Sequence, residues 1–255
     1  MNFEDYADYY DVLFNDKAYA GECDYVCSLI KPHLGIRNYK IIEFGSGSGI
    51  HGRILASLGH EVNGIEQSQQ MIDLGENRIN KYGANKNKGF VCVQGDCLNT
   101  ELGKEYDVVI SLFHVLSYQT ENDQVLKMFR NAYRQLKKGG LFIFDYWYSP
   151  AVQALGPKLR LKEVTNEKFA VTRVANPNVG LENNRIDVNY LIFIEDLKTG
   201  NIKKISESHK VRSFNLGQII QFAKQSNFTV IGNEEWVTGK KPCKETWGVC
   251  TILKK

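Results

Sequence analysis

The sequence predicts an α/β protein whose core is an open, doubly wound, mostly parallel sheet. Five short apolar segments alternate with amphipathic segments between residues 39 and 145, a rhythm typical of strands joined by right-handed helical crossovers. A glycine-rich turn follows the first apolar segment, and two more strands are predicted near the C-terminus. These observations indicate a Rossmann-like sheet of seven strands, with an added antiparallel β meander after Pro150.

Composition narrows the class of protein. The 255 residues are 43% hydrophobic and 24% charged with a net charge of +3, which is ordinary for a globular chain and too mild to indicate nucleic acid or an anionic membrane as partner. The chain has no run of 18 apolar residues and no signal-peptide pattern, so we expect a cytoplasmic protein without a membrane span. Six scattered cysteines without a CxxC pair predict reduced thiols and no metal site.

The N-terminal segment is predicted to be helical over residues 3–34, ending at Pro32 and Gly35. Its aromatic content has two interpretations: one face packs on the main domain, or one or two rings close over the glycine turn. We expect residues 1–38 to form such a lid. The aromatic residues are Tyr6, Tyr9, Tyr10, Phe14, Tyr19 and Tyr25.

The first strand, residues 39–44, leads directly into the glycine-rich turn. Gly45, Gly47 and Gly49 leave the backbone free to bend sharply and to approach a ligand closely. The helix predicted over residues 50–58 then presents unpaired amide groups and the positive end of its dipole. This arrangement predicts a small-molecule site at the carboxyl end of the strand.

The second strand is predicted over residues 59–65 and ends at Glu66. Glu66 follows Gly45 by 21 residues, the spacing at which an acid in a β–α–β unit accepts hydrogen bonds from ribose hydroxyls. Ser68 is predicted to cap the next helix.

The remaining strands of this core are predicted over residues 90–94, 106–110 and 141–145, with a helix over 122–136. Ligands of doubly wound sheets bind outside the carboxyl ends of the strands. The features expected at that edge are the glycine turn, Glu66, Asp96, His114 and Tyr146.

After Pro150, residues 169–174, 185–195 and 202–214 alternate apolar and polar side chains, and turns are predicted at 176–178 and 198–201. This pattern predicts a meander of three or four strands within residues 151–214, with one apolar face that covers the site or forms a homodimer seam. A closing helix (216–226) and two strands (228–231 and 246–253) complete residues 215–255.

In combination, the turn over residues 43–49, Glu66 with Ser68 and Met71, Asp96, and residues 136–140 before the fifth strand resemble the ordered motifs of class I S-adenosylmethionine-dependent methyltransferases. The resemblance spans about residues 40–146. It lies within residues 39–150, which we define as the cofactor-binding core. It implies S-adenosyl-L-methionine as cofactor. Position 50 is isoleucine, which disfavours the GxGxxG turn of nicotinamide-dependent dehydrogenases and epimerases.

The resemblance also implies roles for individual residues. Glu66 would hold the ribose hydroxyls and Asp96 the adenine amine. Leu112 and Phe113 would face the sulfonium. The tyrosine rings of the N-terminal segment are favourable neighbours for such a cation. The implied cofactor-binding residues are Tyr6, Tyr19, Glu43, Gly45, Ser46, Gly47, Gly49, Glu66, Gln67, Met71, Asp96, Cys97 and Leu112.

A narrower resemblance is to the nucleotide-sugar N-methyltransferases, which methylate the amine of dTDP-linked amino-deoxysugars. It rests on the aromatic N-terminus, residues 49–51, residues 144–147 and the end of the meander at residues 207–212. Where those enzymes have Gly-His after the fourth strand, this chain has Ser117-Tyr118, with a histidine earlier at His114, so the acceptor could be a different sugar, a different amine or a hydroxyl. The implied substrate-binding residues are Phe113, Tyr146, Trp147, Tyr148 and Arg212.

Positioning can supply most of the acceleration for a neutral amine, whereas a hydroxyl acceptor needs a general base. A nucleic-acid methyltransferase is disfavoured by the absence of a basic stripe, and a non-catalytic donor-binding module is the remaining alternative. The candidate catalytic residues are Tyr10, His114, Tyr118 and His209.

Overall fold

The computed structural model describes residues 9, 12–14, 16–82, 89–103, 105–180 and 184–255, without the side chains of 78–82. Its elements fall into two sheets and the helices that cover them. In chain order they are α1 (Tyr19–Leu34), β1 (Lys40–Phe44), α2 (Ile50–Ser57), β2 (Glu61–Glu66), α3 (Gln69–Tyr82), β3 (Phe90–Gln94), β4 (Tyr106–Ser111), a 3₁₀ turn (Val115–Tyr118), α4 (Asn122–Gln135), β5 (Leu136–Trp147), α5 (Ser149–Leu155), β6 (Arg160–Thr165), β7 (Phe169–Val179), β8 (Arg185–Asp196), β9 (Ile202–Arg212), α6 (Leu216–Gln225), β10 (Thr229–Glu235) and β11 (Gly248–Lys254).

The larger sheet has seven strands in the order β10-β11-β5-β4-β1-β2-β3. Strands β1 to β5 are parallel, whereas β11 runs antiparallel to β5 and β10 antiparallel to β11. The chain order reverses between β1 and β4, and ligand crevices of such sheets open at that point. The predicted doubly wound seven-stranded sheet is confirmed.

The central strands are buried on both faces because helices cover each side. All six residues of β4 are buried, as expected for a parallel strand between two helical layers. One face packs against α1 and α2 through Val26 and Leu55. The other packs against α4 and α6 in an aromatic cluster around Phe129 and Phe142, whose rings meet edge to face at 5.4 Å.

The smaller sheet is an antiparallel meander in the order β6-β7-β8-β9, as predicted. The predicted turn at residues 176–178 is wrong, because Asn176, Pro177 and Asn178 lie within β7 and pair with β8. Strand β6 pairs only as far as Ala175. Pro177, which lacks an N–H, therefore lies where β7 has an open edge, the position at which a strand tolerates proline.

The meander is joined to the carboxyl edge of the larger sheet. Phe214, two residues after β9, donates its N–H to the carbonyl of Trp147 at 2.8 Å and accepts from the N–H of Ser149 at 2.9 Å. These hydrogen bonds join the end of β9 to the end of β5. The meander consequently borders the edge at which the predicted site residues collect.

Two predicted elements differ in their bounds. The helix predicted over residues 3–34 is interrupted: Tyr9, Val12 and Leu13 are helical, but α1 begins at Tyr19, whose N–H donates to the carbonyl of Lys17 in a tight turn. The fifth strand, predicted to begin at residue 141, already begins at Leu136. Helix α5 was not predicted.

In the part of the chain that the structure describes, no helix is long and apolar enough to span a bilayer, and no group of His, Cys, Asp and Glu is arranged to hold a metal ion. All six cysteines are free.

Candidate active site

The glycine turn folds tightly over the end of β2. The N–H groups of Gly45 and Ser46 donate to the carbonyl of Ile65 at 2.8 and 3.1 Å, and the N–H of Gly47 donates to Glu66 Oε2 at 2.8 Å. Gly45, Gly47 and Gly49 have φ of +69°, +56° and +75°, in the left-handed region that favours glycine. Local chain geometry therefore requires all three glycines.

Packing distinguishes the three glycines. A Cβ on Gly45 would lie 2.7 Å from a methyl group of Val115, and one on Gly49 would lie 2.6 Å from the ring of Phe90. A Cβ on Gly47 would meet only the Met71 Cε, at an ordinary 3.5 Å. Gly45 and Gly49 are thus packed against the fold, while Gly47 borders open space that a ligand could fill.

Two acids lie at this edge. Each oxygen of Glu66 accepts one backbone hydrogen bond, from Gly47 and from Ser68, and each keeps a lone pair for a further donor. Burial raises the pKa of Glu66, which the backbone hydrogen bonds partly offset. Asp96 is half-buried, and its Oδ1 accepts from the N–H of Leu98 at 2.9 Å. Both carboxylates are held by the backbone in positions that suit hydroxyl or amine donors.

Other predicted cofactor residues vary in exposure. Met71, Cys97 and Leu112 are buried, and burial raises the pKa of the Cys97 thiol to about 12, so the thiol is an apolar neighbour. The hydroxyl of buried Ser46 lies 3.1 Å from the Cys92 sulfur. Gln67, in contrast, is exposed, and its carbonyl accepts from Gln94.

A cation already lies against two aromatic faces beside the turn. The Lys17 ammonium is 4.4 Å from the centroid of the Tyr19 ring and 4.5 Å from that of Phe113. It also pairs with Glu22, which accepts from His51 Nε2 at 2.7 Å. Burial opposes ionisation of Glu22, but the hydrogen bonds from His51 and Lys17 lower its pKa to about 2. The two ring faces can therefore stabilise positive charge here.

Glu43 lies beneath the turn rather than at its surface. The side chain is buried, and burial raises its pKa to about 8. Its Oε1 is 3.6 Å from Nδ1 of His51, a buried residue whose own pKa is lowered by burial. Glu43 consequently reaches a ligand only indirectly, through the turn and His51.

His114 stands at the end of β4 above a buried carboxylate. Its Nδ1 is 2.7 Å from Asp145 Oδ2, and its N–H donates to both Asp145 oxygens at 3.2 Å. Phe113 and His114 have φ of +65° and +63°. Two successive non-glycine residues in the left-handed region are strained, and such strain clusters at functional sites.

Tyr118 and His209 are brought together although 91 residues separate them. The Tyr118 hydroxyl is 3.1 Å from Nδ1 of His209, and Nε2 of His209 is 3.0 Å from Oε2 of Glu207. Trp147 lies in the same cluster, with its ring 5.4 Å from that of Trp247. These contacts form a seam between the two sheets, with aromatic side chains from both.

Three expected substrate-binding residues lie elsewhere. Tyr146 and Tyr148 point to the opposite face of β5 from Trp147 and are buried in the main core, which corrects the expectation that they line the pocket. Arg212 is buried with its guanidinium donating to Thr120 and Asn122, so the fold itself provides its partners. Tyr6 and Tyr10 lie outside the described residues.

Sequence reasoning missed several residues of the site. Lys17, Glu22 and Asp145 reach it through tertiary contacts for which the sequence carries no periodic signal. Glu207 could have been found, because residues two apart on a strand share a face and Glu207 and His209 have that spacing. No sequence pattern predicted that Val115 would pack against the glycine turn.

The glycine cradle and the two acids fit the ribose and amine groups of S-adenosyl-L-methionine. Comparison with known proteins agrees. Residues 41–140 match the family model described as "Methyltransferase domain". The chain is similar to the dTDP-3-amino-3,6-dideoxy-alpha-D-glucopyranose N,N-dimethyltransferase of Streptomyces fradiae, with 26% identity over 217 residues, covering 82% of this chain and 77% of that protein.

Two solved structures share the fold. The structure of an S-adenosylmethionine-dependent methyltransferase from Clostridium acetobutylicum ATCC 824 superposes with a TM-score of 0.79 at 18% identity, covering 99% of this chain and 98% of that one. The sugar N-methyltransferase KedS8 from Streptoalloteichus sp. ATCC 53650 gives a TM-score of 0.77 at 17% identity, with coverages of 95% and 92%.

Proposed function

We propose that this chain, whose residues 41–140 form a methyltransferase domain of the class I fold, methylates the amine of a nucleotide-linked amino sugar. The prediction of a methyltransferase agrees with the matched domain. The fold, which the chain shares with an S-adenosylmethionine-dependent methyltransferase, supports S-adenosyl-L-methionine as its cofactor. The acceptor is our proposal.

The observation that carries the proposal is the extent of the similarity to the Streptomyces fradiae enzyme. The match covers 82% of the chain, whereas the methyltransferase domain covers residues 41–140 alone. It therefore includes regions beyond the donor-binding core. The meander lies at the carboxyl edge of the main sheet, where its seam with Trp147 provides an aromatic wall for a sugar or base ring.

When bound, S-adenosyl-L-methionine supplies a methyl group activated by a sulfonium. The chain's contribution is to hold donor and acceptor in line. Glu66 and Asp96 accept from the nucleoside, and the seam orients the acceptor. Such positioning converts a bimolecular reaction into an effectively unimolecular one.

A second candidate function is O-methylation of a small-molecule hydroxyl. The pair formed by His114 and Asp145, 2.7 Å apart, favours it, because a carboxylate behind an imidazole is the arrangement of a general base. A hydroxyl, unlike a neutral amine, needs such a base.

The test is to incubate the purified protein with methyl-labelled S-adenosyl-L-methionine and matched pairs of dTDP-linked sugars that differ only in carrying an amine or a hydroxyl. Mass spectrometry would follow the product. We expect the labelled methyl group to be added to the amino sugar and not to its hydroxyl partner. Transfer to the hydroxyl partner alone would favour the second candidate, and no transfer to either member of any pair, with donor binding intact, would refute the proposed acceptor class.

A further inference from the structure

Three side chains form a continuous hydrogen-bonded chain across the seam between the two sheets. It runs from the hydroxyl of Tyr118, through Nδ1 and Nε2 of His209, to Glu207, with spacings of 3.1 and 3.0 Å. His209 is 4% exposed, and the Glu207 side chain is 10% exposed. An ionised Glu207 can only accept, so Nε2 of His209 donates to it and Nδ1 is left to accept from the Tyr118 hydroxyl.

The Tyr118 end of this row of hydrogen-bonded side chains belongs to the turn that contacts the cofactor cradle. Tyr118 is the last residue of the 3₁₀ turn whose first residue, Val115, packs against Gly45. A 3₁₀ turn rises about 2 Å per residue, so Tyr118 lies roughly 6 Å along the turn axis from the residue that contacts the glycine turn. Ser117, within the same turn, accepts from the N–H of Trp147. The same turn thus contacts the glycine turn through Val115 and the seam around Trp147 through Ser117 and Tyr118.

We propose that Tyr118 accepts a proton from the ammonium form of the acceptor amine, and that His209 and Glu207 act as positioning residues that carry this proton away. This inference rests on the proposed function. Alkyl amines are largely protonated at neutral pH, and the protonated nitrogen has no lone pair with which to attack.

The step balances as follows. The ammonium proton moves to the oxygen of Tyr118 while the phenolic proton moves to Nδ1 of His209, and Glu207 stabilises the resulting imidazolium. The freed nitrogen lone pair then forms the bond to the methyl carbon. The carbon–sulfur bond breaks with its electron pair on sulfur, so the sulfonium becomes a neutral thioether and the positive charge passes to the methylated nitrogen.

His209 lies among other titratable groups. Those in contact with it in the described part of the chain include Tyr118 from the 3₁₀ turn, Glu207 from its own strand and Tyr190 from β8. The Tyr190 ring meets the imidazole edge to face at 4.9 Å and has the Arg173 guanidinium at 5.4 Å on it. Glu207 is in direct contact with the ring, with its Oε2 3.0 Å from Nε2 of His209.

The test compares the pH profile of kcat for wild type, Tyr118→Phe and His209→Asn. Phenylalanine keeps the ring packing without the hydroxyl, and asparagine keeps a hydrogen-bonding group near Nδ1 but cannot take up a proton. Tyr133→Phe is the matched control. Tyr133 lies on α4, away from the seam, and its ring packs against Phe228 and Lys255. Donor Kd and thermal melting would be measured for all variants.

We expect Tyr118→Phe and His209→Asn to lower kcat about 100-fold at pH 7, a typical contribution of general base catalysis. Near pH 10 both variants should return to within a few-fold of wild type, since the amine then loses its proton to solvent. The control should follow wild type throughout. A loss that is the same at all pH values would show a purely structural contact and overturn the relay, as would wild-type activity in both variants. Absence of methyl transfer by wild type itself would instead refute the proposed function.

Discussion

Replacing Gly45 and Gly47 by alanine separates the two properties of the glycine turn, its packing and its openness to a ligand. Both residues have left-handed φ, which costs a non-glycine residue roughly 1–2 kcal/mol. At Gly45 the new Cβ also lies 2.7 and 2.8 Å from the two γ-methyl groups of Val115. Relieving such overpacking costs about 1–3 kcal/mol more, so Gly45→Ala should destabilise the fold by about 2–5 kcal/mol.

Gly47→Ala should lose only the conformational part, about 1–2 kcal/mol, because its Cβ meets nothing closer than Met71 Cε at 3.5 Å. Its new methyl group faces the open side of the cradle, however, so S-adenosyl-L-methionine should bind at least about 10-fold more weakly, or about 1.4 kcal/mol. Gly200→Ala is the matched control, with φ of +72° and no atom within 4 Å of its Cβ, far from the site on the turn between β8 and β9.

The assays are urea unfolding, with the slope m checked for constancy, and calorimetric titration with S-adenosyl-L-methionine. We expect Gly45→Ala to have a lower free energy of unfolding than Gly47→Ala. Gly47→Ala and Gly200→Ala should have equal free energies of unfolding. Equal stability of Gly45→Ala and Gly200→Ala would refute the packing argument. Unchanged donor affinity in Gly47→Ala would refute the cradle.

Three further predictions concern single residues. Glu66→Gln should weaken donor binding by about 10- to 100-fold, since hydrogen bonds to a charged group are worth about 1.5–3 kcal/mol; calorimetry would measure it, and an unchanged Kd would contradict the ribose assignment. Because the folded-state pKa of Glu43, about 8, lies above its ordinary value of 4.5, the stability that it contributes is full below pH 4.5 and is lost as the pH rises through 8. Glu43→Gln should therefore flatten the decrease in unfolding free energy between pH 4.5 and 8, and an equally steep decrease would argue against the raised pKa. Trp147→Ala should raise the KM for the acceptor about 10-fold while leaving donor Kd unchanged, as loss of one stacking contact predicts; steady-state kinetics would decide, and the reverse pattern would place Trp147 on the donor side.

The acceptor side shows where pattern reasoning stops. Residues 144–148 carry aromatic side chains on both faces of β5 and its continuation, so alternation predicts two opposite sets without telling which set faces the site. The structure decides this through neighbours. Helices α4 and α6 cover the face of Tyr146 and Tyr148, whereas the face of Trp147 meets the meander. The position of Arg212 likewise depends on tertiary neighbours. Its hydrogen-bond partners Thr120 and Asn122 are distant in sequence, so no local pattern predicts them.

Several features could be predicted from the sequence: the strand–turn–helix at residues 40–57, the acid at Glu66 and the order of the alternating elements. The cap at Ser68 was also predicted, and its hydroxyl accepts from the Met71 N–H. These features follow from backbone preference, side-chain period and short spacing, which are local properties of the chain. The tertiary structure alone decided that Tyr118 meets His209, that Lys17 lies between Tyr19 and Phe113, and that Asp145 supports His114. Each of these contacts joins different elements, and their geometry depends on how the sheets and helices pack as a whole.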